Sequence, residues 1–235
     1  MIYQPKFKHS TEQKVFVYTD IHYRHNPSWP VPIWKMRGFN SAEECDAAQV
    51  ANWNKKITNN DIVFLLGDTV LGAGKESKEV FCNLIDKALN YKELYIMCGN
   101  HYAGYKAVFD TEHERLENSI DKFYRLIVKS FRRNVYLIPN YYEIFVNGQA
   151  IVLSHYPTLS WNGMGKGAWM LHGHCHGNLY KTPWIKDNYY KGKAIDIGIE
   201  TVKEPLDFDE IKAIMDTRVN LLIDHHTGEA SSPFC

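Results

Sequence analysis

Ile62-Val63-Phe64-Leu65-Leu66-Gly67-Asp68 runs five apolar residues without a polar break into a glycine and an aspartate. So short an unbroken apolar run suits a strand buried on both faces, as in a parallel sheet covered by helices. The pattern recurs along the chain. Val15–Thr19 ends at Asp20, Leu94–Cys98 at Gly99-Asn100-His101, Ile151–Leu153 at Ser154-His155, and Trp169–Leu171 at His172-Gly173-His174. Helical stripes lie between these runs. Val80, Phe81, Leu84, Ile85, Ala88 and Leu89 share one face, and Leu116, Ile120, Phe123, Ile127 and Phe131 share another. Ser41 and Glu44 have capping-box spacing, and Asp207 opens a further acidic helix start. Asn147-Gly148 between two β-rich runs predicts a tight hairpin whose turn positions both need positive φ. The alternation of strands and helices is an α/β pattern.

The bulk properties narrow the function. The 235 residues suit one domain spanning 1–235, and 45% hydrophobic with 23% charged residues is an ordinary globular balance. Lys plus Arg and Asp plus Glu both number 27, so no net charge favours capture of nucleic acid or an anionic membrane. Five cysteines without a C-x-x-C pair argue for a reducing compartment and against a disulfide framework. No run nears the roughly 18 apolar residues of a membrane span, and MIYQPKFKHS is no signal peptide. The expected setting is the cytoplasm. The oligomeric state is not legible.

Chemistry gathers where the apolar runs stop, the usual place for sites in open α/β sheets. Asp20, His22, Asp68, Asn100, His155, His174 and His176 all stand there. In extended chain, residues i and i+2 point to one side, so Asp20 can converge with His22, and His174 with His176. Imidazole, carboxylate and amide together suit Mn, Fe, Zn, Co or Ni better than Ca or Mg alone. Two Asp, one Asn and four His exceed one tetrahedral zinc and fit two divalent ions sharing a carboxylate. Manganese is the expected ion, with Fe, Zn, Ni, Co and Mg as alternatives. Such a pair is well suited to phosphoryl chemistry.

The order Asp20-x-His22, Gly67-Asp68, Gly99-Asn100-His101, His155, Gly173-His174-x-His176 resembles the calcineurin-like metallophosphoesterase superfamily. Asp20-Ile21-His22-Tyr23-Arg24-His25, Trp53-Asn54 and Ser154-His155-Tyr156-Pro157 are similar to its small stand-alone members from phages and bacteria. If phage-encoded, the chain would act in a bacterial host's cytoplasm. The resemblance implies a four-layer sandwich: two packed mixed β-sheets flanked by helices. It implies that Asp20, His22 and His176 hold one ion, that Asn100, His155 and His174 hold the other, and that Asp68 bridges them. It places His101 beside the leaving group, with metal-hydroxide attack as the reaction. Tyr102 stands where many members have a carboxylate.

The expected substrate is a small phosphate ester, a nucleotide or nucleotide-derived mono- or diester. A nuclease acting on nucleic-acid phosphodiesters and a non-catalytic binding module are the alternatives. The filled ligand set argues against the module, and the neutral charge against a long nucleic-acid groove. Two loops directly follow ligand positions, Tyr23–Arg37 and Trp161–Gly167. Trp29, Trp34 and Trp161 have two readings there, as platforms for a base or ring or as plugs closing the loops. Arg24, Arg37 and Lys166 either neutralise substrate phosphate or are merely solvated. His25 either lines the pocket or is a plain loop residue. His172, out of ligand phase, reads as a satisfied buried histidine, and His9 as a surface one.

Overall fold

The computed structural model describes residues 4–24, 31–71, 75–101, 108, 113–115, 126–128 and 131–222. Its strands are β1 (Lys6–Phe7), β2 (Val15–Tyr18), β3 (Ile62–Leu65), β4 (Glu93–Ile96), β5 (His113–Arg115), β6 (Leu126–Val128), β7 (Asn134–Leu137), β8 (Tyr141–Val146), β9 (Gln149–Ser154), β10 (Trp169–His172), β11 (Ala194–Asp196) and β12 (Leu206–Asp207). They form two mixed sheets, one ordered β1-β8-β9-β10-β11 and the other β12-β2-β3-β4-β7-β6-β5. The apolar runs singled out in the sequence are the central strands. Strands β2, β3, β4 and β7 pair parallel with Val17, Phe64, Tyr95 and Tyr136 in one row.

Alternation along these strands builds the layers. Val15 and Val17 join Phe64, Leu66, Leu153 and Leu171 in the core between the sheets. Phe16 and Tyr18 point the other way, into a core with Trp53, Phe81, Leu84, Ile85 and Leu89 from the helical segments. Each such large apolar side chain, fully buried, contributes about 1.5–3 kcal/mol. The outer face of the five-stranded sheet is covered by Trp161, Met164, Tyr189 and Tyr190 packing on Val152 and Met170. The result is the expected four-layer α/β sandwich.

Local signals act as the sequence predicts, with refinements. Helix Ala42–Lys56 starts at Ser41, whose hydroxyl accepts the Glu44 amide. The Glu44 carboxylate turns to the Asn40 amide instead, so only half the box forms. The full box is at helix Phe208–Met215, where Asp207 accepts the Asp209 and Glu210 amides and Glu210 accepts the Asp207 amide. Asn147 and Gly148 have φ of 50° and 85°, as a two-residue hairpin between β8 and β9 requires.

The stripe Leu116–Phe131 is corrected in part. Leu126–Val128 is a strand, paired antiparallel with β7 and with His113–Arg115. Three adjacent apolar residues satisfy a strand as readily as a helix, and pairing on the edge of β7 decides between them. Residues 116–125 of that stripe lie outside the described residues. Among the described residues, no helix is long and apolar enough to cross a membrane. The two sheets meet at a parallel bridge between Thr19 and Gly198, directly beside Asp20.

Candidate metal centre

The strand ends converge by an unexpected route. Asp20, His22, Asp68, His174 and His176 have φ of 58°, 48°, 46°, 69° and 50°. The segments 20–22 and 174–176 are therefore left-handed turns rather than the extended chain that the i, i+2 argument assumes. The physical reason is that the chain leaves the sheet while still bonded to its neighbour: the Asp20 amide donates to Gly67 O (3.3 Å) and the His22 amide to Asp68 O (2.9 Å). Asp and His are among the non-glycine residues that tolerate this region best. The cost is still roughly 1–2 kcal/mol per residue. Five such residues approach the net stability of a whole domain, and strain of this kind concentrates at functional sites. Two glycines permit the close approach. A Cβ on Gly99 would stand 2.3 Å from Asp68 Oδ1, and one on Gly173 2.3 Å from Asp20 Oδ2.

Two donor groups result. Asp20, His22 and His176 form the first, and Asp68, His155 and His174 the second. Asn100 belongs with the second, its Oδ1 lying 2.8 Å from His155 Nε2 and 2.9 Å from His174 Nδ1. Asp68 stands between the groups. Its Oδ1 accepts the Asn100 and His101 amides, both at 2.9 Å. Its Oδ2 is 3.7 Å from His22 Nε2 and 3.7 Å from His155 Nε2. All seven residues singled out by the sequence are thus brought together. His172 is not among them: it is fully buried, with Nε2 paired to the Tyr190 hydroxyl at 3.0 Å.

Outer contacts orient the rings. His155 Nδ1–H donates to the Leu66 carbonyl at 2.9 Å, leaving the Nε2 lone pair for the centre. His176 Nδ1 lies 3.0 Å from Glu200 Oε2, an ion-pair contact off the ideal hydrogen-bond line. Burial holds the His155 and His174 imidazoles below the usual range. At His176 burial acts in the same sense, but Glu200 and then Asp20 outweigh it and raise the pKa. Burial pushes the Asp20 carboxyl up to about 7, opposed by His176, with the Asp68 carboxylate adding to the rise.

These residues fit a divalent cation. Asp20 Oδ1 is buried and accepts no hydrogen bond among the described residues. The Nε2 atoms of His22 and His176 face each other at 3.2 Å. Buried oxygen and nitrogen donors converging without enough protons between them are what a cation satisfies. A third His/Asp group, His9 with Asp207 and Asp209, does not fit. His9 is buried, not a surface residue as its sequence context suggests, and its Nδ1 accepts the Val15 amide. Its Nε2 therefore carries the proton given to Asp209, while Asp207 is occupied by Lys14 and two helix amides.

A model of the calcineurin-like phosphoesterase family matches residues 13–229. The chain belongs to that family. This calcineurin-like phosphoesterase is accordingly a metal-dependent hydrolase of phosphoester bonds. An uncharacterized protein of Methanocaldococcus jannaschii is 26% identical over 206 residues, which is 87% of this chain and 92% of that one. A crystal structure of an Aquifex aeolicus protein of unknown function aligns with a TM-score of 0.53 at 18% identity, over 86% of this chain and 99% of that one. The latter likeness is one of fold.

The phosphoesterase has a cleft of about 480 Å³ beside the first donor group, lined by His22, His101 and His176, by apolar Val31, Ile33, Met36 and Leu71, and by Asn178 and Lys181. Neither this apolar wall nor Glu200 is evident from sequence; the one hint of Glu200 is an acidic residue soon after Ile195–Gly198. The substrate candidates are dispersed. Trp34 is half-buried in helix Ile33–Met36 and does not line the cleft, though Ile33 and Met36 do. Trp161 is a buried plug, 4% exposed, donating Nε1–H to Ala168 O. Lys166 borders a separate pocket with Glu143 and Asn162. Arg24 is exposed with its guanidinium near Glu76, and Arg37 is engaged by Glu200 and backbone carbonyls. His25, Trp29 and Tyr102 lie outside the described residues. Cys175, between two donors, is half-buried, and burial pushes its thiol up to about 11, away from thiolate reactivity.

Proposed function

We propose that this phosphoesterase uses two divalent ions, manganese first among them, to hydrolyse a small phosphate ester of nucleotide type. The observation that carries the reading is Asp68 Oδ2, which stands 3.7 Å from a histidine of each donor group. A shared carboxylate oxygen between two sets of donors is the arrangement a two-ion centre needs. Asp20, His22 and His176 would hold the first ion and Asn100, His155 and His174 the second, with Asp68, standing between the groups, serving both. The ions, when bound, supply Lewis acidity, activation of water at neutral pH and neutralisation of phosphoryl charge.

The remaining work falls to the chain itself. His101 lines the cleft, and its backbone amide is fixed on Asp68 Oδ1. On this reading its imidazole gives a proton or a hydrogen bond to the departing oxygen. Val31, Ile33, Met36 and Leu71 offer an apolar surface to the ester's organic group, while Lys181 offers a positive charge. The cleft's about 480 Å³ lies within the usual range for small ligands. That supports a small ester over a long nucleic-acid strand. Among the described residues, Cys45, Cys82, Cys98 and Cys175 form no disulfide, which supports the proposed cytoplasmic setting.

The test is a panel with the Mn(II)-loaded protein: nucleoside monophosphates, 2′,3′- and 3′,5′-cyclic nucleotides, aryl mono- and diesters, and single-stranded DNA. Turnover of a small ester is expected. Preference for DNA would favour the nuclease reading, and no turnover with both ions bound would favour a binding module. Metal analysis saturating at one ion per chain would remove the two-ion reading.

A further inference from the structure

Arg37 follows helix Ile33–Met36, and its side chain is only 5% exposed. A guanidinium taken out of water costs several kcal/mol unless its donors are met. Here they are. Nε donates to Glu200 Oε1 at 2.8 Å, Nη1 to the Ile21 carbonyl at 2.7 Å, and Nη2 to the Asp20 carbonyl at 2.8 Å. Nη2 also lies 2.8 Å from Glu200 Oε1. The two carbonyls belong to the left-handed turn between Asp20 and His22. Glu200 in turn touches His176 Nδ1 at 3.0 Å. One planar fork therefore grips both segments that carry the first donor group.

Among the described residues, the second group has no such grip. His155 is oriented by the Leu66 carbonyl, and Asn100 Oδ1 is shared between His155 and His174. We infer that Arg37 is a positioning residue that, through Glu200 and the Asp20–Ile21 backbone, sets the affinity of the first ion site without setting that of the second. This rests on the two-ion reading. It replaces solvation or phosphate contact as the role of Arg37. Lysine cannot substitute fully, because an ammonium is a point charge without the fork that reaches two carbonyls and a carboxylate together.

The test is a Mn(II) titration of metal-free protein, followed by the electron paramagnetic resonance of free ion and by calorimetry. His22→Ala and His174→Ala assign the two binding steps. Arg37→Ala should weaken the first step on the order of 10–100-fold, as loss of groups that orient ligands typically does. The second step should be unchanged. Arg37→Lys should fall between Arg37→Ala and wild type, and Glu200→Gln should weaken the same step. If Arg37→Ala does not fold, Arg37→Lys and Glu200→Gln carry the test, with circular dichroism of each metal-free variant as the control. An unchanged first step, or equal weakening of both, overturns the inference. A wild-type chain that binds one ion overturns the two-ion reading, and that is seen before any variant is compared.

Discussion

The two halves of the metal centre are built from similar donors and held by different means. The first, Asp20, His22 and His176, is braced by charge: Glu200 behind His176 and Arg37 behind Glu200. The second, Asn100, His155 and His174, is braced by neutral groups, a carbonyl behind His155 and one amide oxygen between two imidazoles. The first opens on the cleft through His22 and His176; none of the second lines it. Charge therefore sits beside the cleft, and neutral groups hold the half away from it.

The largest expected effect is at the shared member. Asp68→Asn should lower occupancy of both sites and abolish turnover, measured by metal analysis and rates on one ester. Retained activity with both ions bound would show that the halves do not share an oxygen.

His101 comes next. His101→Ala should keep both ions and lose about 10²–10⁴-fold in kcat, the usual range for general acid catalysis. A series of esters with graded leaving groups refines this. A deficit that shrinks for nitrophenyl esters marks an acid, an even deficit marks a hydrogen-bond donor, and full activity throughout removes both roles.

The cleft sharpens the comparison further. Ile33→Ala should raise KM about tenfold for an ester with an apolar group, the scale of a lost hydrophobic contact. Trp161→Ala should leave KM unchanged but cost about 3–5 kcal/mol of stability, as large-to-small changes in a core do. The reverse pattern would return the substrate to the Trp161–Gly167 loop.

The smallest effect is on the metal-free protein, whose halves titrate oppositely. Asp20 is pushed up to about 7, and His176 is also raised. Their contribution to stability is present at low pH and is lost for Asp20 as pH climbs from about 4 to about 7. His155 and His174 are lowered, so their contribution is present above the ordinary imidazole range and is lost as pH falls below it. Without ions, Asp20→Asn should raise Tm relative to wild type at pH 8 more than at pH 5. His155→Asn should show its relative gain at the acid end. Melting curves in chelator check both, and gains at the same end would mean the halves do not differ in this way.

How much of this was legible follows from the physics of each feature. The donor positions were readable because each ends an apolar run, so a local pattern places it at a strand end. The layers were readable for the same reason, Val15 and Phe16 facing opposite cores as alternation requires. The left-handed turns were not, since no periodicity marks them. The link from Arg37 to Glu200 spans 163 residues and leaves no local trace. Leu126–Val128 fits either a strand or a helix until its neighbour in the sheet is known. Trp161 shows the limit of reading aromatics in loops: glycine-rich flanks suggest exposure, and packing on Met164 and Tyr189 denies it.

The bridge between Thr19 and Gly198 has a consequence for synthesis. On the ribosome, Asp20 and His22 emerge long before the segments that complete their surroundings. The His174 amide that bonds Asp20, the Glu200 carboxylate and β12, which pairs with β2, all come from the last third of the chain. The helices and parallel strands of the first half can assemble earlier, and Gly67, Asp68 and Arg37 can already hold the backbone of the turn at Asp20, but its carboxylate lacks the His174 amide and Arg37 lacks Glu200 until that last third arrives. A nascent chain therefore carries Asp20 and His22 without the completed surroundings that His174, His176 and Glu200 supply.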